Sequence, residues 1–324
     1  MNTYSDSVLA AGLQATENRL VNKSLTKLPI PYITGLKLEG DVYLNGLTLN
    51  TFEAPTDENG YADSVLWVCT DIEGWWTIPD PEIPDLTRGW GDGSYDAKGR
   101  YNSRLITLQG SILVQDPSDA PKARDTLIRA LALVHTGGWL QVDEGPTKAS
   151  YVRLSGAPKI ESINARGRIN FSVGLKAADP IKYEWTTGSD DGYTYLDLPS
   201  SSTSQVTVTN SGNIAVPVVF EIRGGLTNVD ETDVALIRNV TSDQTITIVG
   251  PVTSSQTLEI DTYNREVLIV SNSGADVVSG RPKTETLLDW IYLQPGDNKL
   301  SFYDSSASPS SAICRVYWRS GWIG

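Results

Sequence analysis

Alternating hydrophobic residues predict a β-hairpin early in the chain. Leucine or valine occupies every second position on either side of a central Asn-Gly pair in the segment DVYLNGLTLN: Val42, Leu44, Leu47 and Leu49. An Asn-Gly pair between two alternating runs is the sequence signature of a two-residue type I′ turn. We therefore expect two short antiparallel strands here.

A helical period replaces this alternation between residues 116 and 138. Apolar residues recur at helical spacing in DPSDAPKARDTLIRALALVHTGG: Ala123, Leu127, Leu131 and Val134. A serine and an aspartate in front of them are suited to cap a helix, Pro121 fits its first turn, and a Gly-Gly pair predicts its end. The segment predicts one amphipathic helix.

Strand patterns return after the helix. Four large apolar residues share one face of the segment RINFSVGLKAADP: Ile169, Phe171, Val173 and Leu175. A β-rich sequence with a single helix is typical of an α+β domain, and this one is predicted to end near residue 182.

The composition changes after residue 182. The segment YEWTTGSDDGYTYLDLPSSSTSQ is rich in Ser, Thr, Gly and Asp, which indicates a linker over residues 183–205. From Val206 onward, short β-patterned runs recur with turn signals between them and without a helical period. This pattern predicts a second domain, a β-sandwich or barrel, over residues 206–324.

A turn interrupts the segment LLDWIYLQPGDNKLSFYD in the second domain. Pro295 and Gly296 fit the two central positions of a type II turn. Apolar residues alternate on both sides of the turn: Ile291, Leu293, Leu300 and Phe302. The pattern predicts a hairpin or corner of the sandwich, with Trp290 and Tyr292 on the strand face opposite to those apolar residues.

The charge of the chain argues against two classes of partner. Twenty-six basic residues are outnumbered by 39 acidic residues, which gives a formal net charge of −13. Such a protein lacks the electrostatic footprint for nucleic acid or an anionic membrane surface. No apolar run approaches the roughly 20 residues that span a bilayer, and the segment MNTYSDSVLAAGLQATENRL lacks the pattern of a signal peptide. We therefore expect neither nucleic-acid binding nor membrane insertion.

Few residues are available for metal binding or nucleophilic catalysis. His135 is the only histidine, and it falls at the carboxyl end of the predicted helix, where an imidazole interacts favourably with the helix dipole. Cys69 and Cys314 lie in different predicted domains, so we interpret both as buried free thiols. This inventory argues against zinc. The aspartates of GSDDGYTYLD lack the ligand spacing of an EF-hand and are interpreted as a solvated turn.

Two segments of the first domain carry weaker signals. The Gly-rich segment RGWGDGSYDAKGRYNSR lacks the Lys-Ser/Thr of a phosphate-binding loop, and we interpret it as a mobile loop. Its basic residues suit contact with an acidic neighbour: Arg88, Lys98, Arg100 and Arg104. In CTDIEGWWTIPDPE, Asp71 and Glu73 lie beside two tryptophans, which is compatible either with the paired carboxylates of a glycoside hydrolase or with an acidic turn beside packed aromatics.

The aromatic residues are biased toward those with a polar group. Nine tryptophans and 14 tyrosines accompany four phenylalanines. Such side chains suit contacts that are partly apolar and partly hydrated, either subunit interfaces or aromatic platforms for sugars. The candidate carbohydrate contacts in the second domain are Trp290, Tyr292 and Tyr317. Strand alternation places Trp318 in the core and leaves Tyr317 on the surface.

The order of several motifs resembles a known family. The motifs are YNSRLITLQGSILVQDPSDAPKARDTLIRAL, NFSVGLKAADPIKY, TVTNSGNIAVPVVFEIRGG, LEIDTYNREV, LQPGDNKLSF and VYWRSGW. Their succession over residues 36–322 resembles the distal tail proteins (Dit) of long-tailed bacteriophages and the related minor tail proteins of phages that infect Gram-positive hosts.

The resemblance implies a mainly β fold with one helix and a structural function. Residues 36–182 would form an α+β belt domain that builds a hexameric ring, and residues 206–324 a galectin-like β-sandwich that projects outward. Residues 1–35 match no part of the family and would form an amino-terminal arm. The ring, made in the host cytoplasm and carried at the tail tip of the virion, would link the tail tube to baseplate or receptor-binding components. A tape-measure or tail hub protein would be a further partner. The resemblance implies neither an enzymatic step nor a cofactor.

Two other functions fit the same residues. The surplus of aromatic residues suits a carbohydrate-binding module that acts in host adsorption. The carboxylates of Asp71 and Glu73 suit a glycan-cleaving tail enzyme. The second domain lacks the large insertion that adds a carbohydrate-binding module in some members of the family, which weakens the case for direct adsorption.

Overall fold

The chain, described here by a computed structural model, forms two compact units. The first comprises residues 1–182 and 323–324, and the second comprises residues 183–322. The structure describes residues 42–44, 47–49, 65–95, 99–114, 117–162, 168–186, 193–200, 204–224, 226, 234–249, 252–271, 283–284, 290–304 and 312–324. The amino-terminal arm predicted for residues 1–35 and the aspartates of the GSDDG turn lie outside these ranges.

Strands dominate the first unit. They are β1 (Val42–Leu44), β2 (Leu47–Leu49), β3 (Val65–Glu73), β4 (Pro81–Glu82), β5 (Leu86–Thr87), β6 (Ser94–Tyr95), β7 (Arg100–Tyr101), β8 (Arg104–Val114), β9 (Gly138–Asp143), β10 (Thr147–Leu154), β11 (Lys159–Ile160) and β12 (Arg168–Ala177). A further strand, β13 (Lys182–Glu184), begins at the last residue of the segment 1–182 and ends in residues of the second unit. A single antiparallel path runs β2-β1-β9-β10-β12-β8-β3, and β11 pairs with β12. The predicted hairpin is confirmed, because β1 pairs with β2.

The alternation along β8 and β12 determines which face of this sheet is buried. The four residues predicted to share a face of β12 are all buried: Ile169, Phe171, Val173 and Leu175. Phe171 lies opposite Gly110 on β8. A Cβ atom at Gly110 would overlap the Phe171 ring, so only glycine fits opposite this phenylalanine.

The predicted helix is also present. Ala120–Val134 forms α1, the single α-helix among the described residues. The apolar residues at helical spacing all face the core: Ala123, Leu127, Leu131 and Val134. The helix ends at His135, whose amide donates to the Leu131 carbonyl, and Gly137 follows in a left-handed conformation with φ of 127°. Such a conformation favours glycine, which explains why the helix ends there.

The second unit is built from strands alone among its described residues. They are β14 (Thr194–Pro199), β15 (Val206–Asn210), β16 (Val216–Pro217), β17 (Val219–Arg223), β18 (Val234–Asn239), β19 (Gln244–Val249), β20 (Gln256–Asp261), β21 (Glu266–Ser271), β22 (Lys283–Thr284), β23 (Tyr292–Leu293), β24 (Gly296–Asp304), β25 (Ile313–Trp318) and β26 (Gly321–Trp322). Sheet I has the order β14-β25-β17-β20-β21, and sheet II has the order β15-β24-β18-β19-β22. Their inward faces share one hydrophobic core, so the predicted β-sandwich is confirmed.

The stretch predicted as a linker, residues 183–205, contains a strand instead. β14 pairs with β25 from Thr194 to Pro199, and Leu198 is fully buried against the core. The linker prediction was wrong here because β14 is an edge strand of sheet I. Most of its side chains face solvent, so its composition resembles that of a linker.

The Pro-Gly segment near the end of the chain forms a corner. β23 pairs with β16, whereas β24 pairs with β15 and β18, so the chain changes partner at the turn. Gly296 has a φ of 89°, as the third position of a type II turn requires. The buried Asn298 closes the corner, because its side chain donates to the carbonyls of Gln294 and Gly296 and accepts from the amide of Gln294.

Candidate functional site

The segment between β3 and β8 is a β-hairpin, which corrects its interpretation as a mobile loop. Two short ladders run along it, β4 with β7 and β5 with β6. At its tip the Arg88 amide donates to the Gly93 carbonyl over 3.3 Å, and Gly91 and Gly93 both have positive φ. Glycines therefore close the tip and do not make the whole segment irregular. We call the described residues 76–95 and 99–103 the hairpin arm.

The hairpin arm exposes large apolar side chains. They are Trp76, Ile78, Ile83, Trp90, Tyr95 and Tyr101, and each is at least 43% exposed. Trp90, at the tip, is 97% exposed. The Arg88 guanidinium lies 5.7 Å from the centre of the Tyr95 ring. A concentration of exposed aromatic and aliphatic side chains is typical of a surface that contacts another molecule.

A buried arginine fixes the root of the hairpin arm. Arg104 is 1% exposed, and its guanidinium donates six hydrogen bonds of 2.7–3.0 Å. The acceptors are the carbonyl oxygens of Gly74, Trp75, Thr77, Pro180 and Ile323. The side chain thus joins three separate segments of the first unit. Arg104 is not available to an acidic neighbour, which corrects one of the four basic residues assigned to such a contact.

A second buried polar cluster holds Trp75 beside this root. The Trp75 indole donates to Glu144, which also pairs with Lys148 over 2.6 Å and with Lys182 over 3.6 Å. The Lys182 ammonium is fully buried and lies 4.9 Å from the centre of the Trp75 ring. Burial lowers the pKa of Lys182 to about 8, although the charge of Glu144 opposes the shift. Burial alone would raise the pKa of Glu144, but the hydrogen bond from Lys148 and the charge of Lys182 outweigh it and lower that pKa.

The helix presents a second apolar surface. Ile128 and Leu133 on α1 are 47% and 57% exposed, whereas their neighbours Leu127 and Leu131 are buried. The sequence pattern predicted the buried face correctly but gave no reason for two large aliphatic residues on the other face. We call Ile128, Ala132 and Leu133 the helix stripe.

The candidate carbohydrate contacts do not form one group. Trp290 packs against the core of the sandwich, and the Tyr292 hydroxyl donates to the Thr262 carbonyl over 3.3 Å. Tyr317 lies on the outward face of sheet I, and no ring contact or hydrogen bond joins it to the other two among the described residues. Sugar contact by Trp290 and Tyr292 stays a prediction. The expectation that Trp318 is buried is confirmed.

Tyr317 has a neighbour that the sequence did not indicate. Tyr195 on β14 lies opposite it in register, and the two ring centres are 5.9 Å apart. The Arg315 guanidinium lies 4.5 Å from the Tyr195 ring centre and pairs with Asp197. Tyr195 was overlooked because it lies in the stretch interpreted as a linker.

The remaining candidates for chemistry lie on different elements, except Asp71 and Glu73, which are both on β3. Asp71 and Glu73 are exposed on β3, beyond a β-bulge at Cys69, and His135 is exposed at the end of α1. Cys69 and Cys314 are buried thiols that form no disulfide, as predicted, and burial raises the pKa of each. Within the described residues, no group of acidic, histidine or cysteine side chains is arranged to hold a metal ion. None of the helices that the structure describes could cross a bilayer.

Comparisons with known proteins agree with the resemblance read from the sequence. Residues 211–322 match the family model of the siphovirus-type tail component, C-terminal domain. No curated protein sequence matches the chain significantly. The crystal structure of SPP1 Dit, described as a paradigm of the hub adsorption apparatus in phages that infect Gram-positive bacteria, is similar with a TM-score of 0.53 and 13% identity. The match covers 86% of this chain and 98% of that one.

Two structures of the phage P2 baseplate in its activated conformation are more distant. The form with Ca has a TM-score of 0.40 and 9% identity, and it covers 86% of this chain and 96% of that one. The form with Sr has a TM-score of 0.37 and 9% identity, with 86% and 97% covered. Residues 211–322 therefore match the siphovirus-type tail component family, and the chain shares the fold of SPP1 Dit.

Proposed function

We propose that the protein is the subunit of a hexameric ring at the tail tip of a long-tailed phage. The ring links the tail tube to baseplate or receptor-binding components, and it needs neither an enzymatic step nor a cofactor. The observation that carries this proposal is the hairpin arm, which exposes six large apolar side chains on a first unit that already has a complete core of its own.

A closed ring requires two different surfaces on each subunit. Each subunit contacts the next through a heterologous interface, in which one surface of the first meets a different surface of the second. The hairpin arm and the helix stripe are two such apolar surfaces on the first unit. We propose that the arm of one subunit covers the helix stripe of the next, so that both surfaces are buried in every subunit of the ring.

The charge of the hairpin arm supports the same contact. Arg88 and Arg100 are exposed on the arm of a chain whose formal net charge is −13. A locally basic arm is therefore attracted to the acidic surface of a second copy, which speeds association and orients it. The predicted contact with an acidic neighbour is kept in this proposal for Arg88 and Arg100, and Lys98 lies outside the described residues.

Trp90 is the side chain whose removal tests the contact most cleanly. It is 97% exposed, so its loss removes almost nothing from the folded subunit. Tryptophan and arginine dominate the energies of protein interfaces, and truncation of such an anchor costs about 2–4 kcal/mol. This loss weakens each subunit contact by about 30-fold to 1,000-fold, and it is repeated at every interface of the ring.

The full-length protein is examined by size-exclusion chromatography with light scattering and by negative-stain microscopy. We expect rings for the parent protein and a shift to smaller species for Trp90→Ala. The matched control is Tyr263→Ala, which removes an aromatic that is 57% exposed on the second unit and leaves the rings intact. Rings that form equally well with Trp90→Ala would contradict the role of the arm.

The assembly itself has a separate test. Some rings form only when their partners are present, because binding partners shift an assembly equilibrium by mass action. The protein is therefore also mixed with the tail tube and baseplate components of the same phage. A protein that stays monomeric alone and also fails to bind any of them would rule out the hub function.

A further inference from the structure

We propose that the outward face of sheet I binds a neutral glycan, with Tyr195 and Tyr317 as an aromatic platform and Glu221 and Glu259 as acceptors for sugar hydroxyl groups. This activity is additional to the ring function and does not depend on it.

An exposed tyrosine and a half-buried one form a platform on adjacent strands. Tyr195 is 58% exposed, and Tyr317 lies directly opposite it in the antiparallel register. Their rings are inclined by 49° with centres 5.9 Å apart. A pyranose ring has an apolar face of C–H groups that can pack against an aromatic ring, and a phenolic hydroxyl can form hydrogen bonds at the edge of that ring.

An adjacent row of the sheet supplies charged hydrogen-bonding groups. Asp197 on β14, Arg315 on β25 and Glu221 on β17 lie opposite one another, and Glu259 on β20 continues the row. The Arg315 Nε and a terminal nitrogen donate to the two Asp197 oxygens over 2.6 and 3.1 Å. This ion pair raises the pKa of Arg315 and lowers that of Asp197, so both stay charged near neutral pH.

The same ion pair orders the platform. The Arg315 guanidinium lies 4.5 Å from the Tyr195 ring centre and restricts that ring. The Tyr317 hydroxyl donates to Glu221 Oε2 over 2.7 Å, and Arg223 donates to Glu221 Oε1 over 2.9 and 2.6 Å. Tyr195, Tyr317 and Glu221 are thus each held by a neighbour on the sheet, and a ligand need not order them on binding.

Two carboxylates keep the capacity to accept hydrogen bonds. An ionised carboxylate offers about four lone-pair sites, so Glu221 can accept from a ligand in addition to Tyr317 and Arg223. The side-chain carboxylate of Glu259 accepts no hydrogen bond from the described part of the chain. Burial, followed by the charges of Asp261 and Glu221, raises the pKa of Glu259. A hydroxyl donor would supply the partner that this carboxylate lacks.

The charge of the face selects a neutral ligand. Its carboxylates outnumber its guanidinium groups: Asp197, Glu221, Glu259, Asp261 and Glu266 against Arg223 and Arg315. Phosphate or carboxylate polymers are repelled by such a surface. A protein partner fits less well, because the centres of protein interfaces are depleted of charged residues. Sugar hydroxyls, which are neutral donors and acceptors, match the groups present.

The full-length protein is tested on an array of neutral hexose and N-acetylhexosamine oligosaccharides, with sialylated and phosphorylated oligosaccharides as anionic probes. The best neutral binder is then titrated by calorimetry. We expect Tyr195→Ala to bind about tenfold more weakly, since loss of an aromatic anchor costs at least about 1.4 kcal/mol. Tyr195→Phe keeps the ring and retains binding, whereas Glu259→Gln weakens it.

The control variant is Tyr303→Ala, which removes a tyrosine that is 36% exposed on sheet II and leaves binding unchanged. Three results would overturn the proposal. They are the absence of neutral-sugar binding by the parent protein, equal binding by Tyr195→Ala, and binding of the anionic probes alone. Loss of a protein partner in Tyr195→Ala without sugar binding would also overturn it and would assign this face to a protein contact.

Discussion

Replacing Arg104 with methionine tests whether this side chain holds the root of the hairpin arm. The change keeps most of the side-chain volume but removes six hydrogen bonds to five carbonyl oxygens. A hydrogen bond from a charged donor contributes about 1.5–3 kcal/mol net. The sum is reduced because the guanidinium is desolvated, which is also why the pKa of Arg104 is lowered. We expect a net loss of about 3–5 kcal/mol from the free energy of unfolding of the first unit.

This loss of stability should appear in thermal unfolding as a shift of the transition that belongs to the first unit. For a unit of this size, each kcal/mol lowers the melting temperature by roughly 2–4 °C, so the first transition should move down by about 10 °C. Hydrogen exchange in peptides from β3 and β8 assigns the change to the first unit. Arg104→Lys should lose about half as much, because an ammonium has only three donors for five carbonyls.

The matched control is Arg129→Met, which removes an exposed arginine from α1 of the same unit. It should leave the free energy of unfolding within about 0.5 kcal/mol of the parent, as surface substitutions usually do. An Arg104→Met protein whose first unit is as stable as that of Arg129→Met would refute the reasoning.

Three further predictions concern single side chains. The pKa of Lys182 falls from 10.5 to about 8 on folding, so between these pH values the unfolded chain binds more protons than the folded one. The first unit should therefore become more stable as the pH rises from 8 toward 10.5. Urea unfolding should show this rise for the parent protein but not for Lys182→Met. Gly110→Ala should lower the free energy of unfolding by about 1–3 kcal/mol, measured by calorimetry, because the added methyl group overlaps Phe171. Thr262→Val should cost about 1–3 kcal/mol in thermal unfolding, because the threonine hydroxyl accepts from the buried Val218 amide; an unchanged melting temperature would contradict this account.

The sequence predicted those elements whose apolar periodicity is strong. The spacing of Leu127, Leu131 and Val134 defined the helix and its buried face, and the alternation through Phe171 defined the long strand β12. In these segments the hydrophobic pattern and the local propensities agree, so tertiary context had nothing to override.

The hairpin arm and β14 could not be predicted in the same way. The side chains of the hairpin arm are mostly exposed, and the glycines around Trp90 resemble those of a loop. In β14 only Leu196 and Leu198 alternate with exposed residues, and the polar residues on either side of this short run hide the pattern. The buried position of Arg104 can be predicted from the sequence pattern of β8. It lies in phase with Ile106 and Leu108 on β8, and an arginine on the buried face of a strand requires partners inside the protein.

The hydrogen bond between Arg104 and the Ile323 carbonyl spans 219 residues. Ile323 and Gly324 belong to the first unit although the whole second unit is translated before them. Amino-terminal domains usually fold first while synthesis continues. Here the nascent first unit lacks the Ile323 carbonyl, one of the five acceptors of Arg104, until the second unit has been synthesised. Slow translation of the second unit would therefore prolong the time during which the first unit is open to proteases and chaperones.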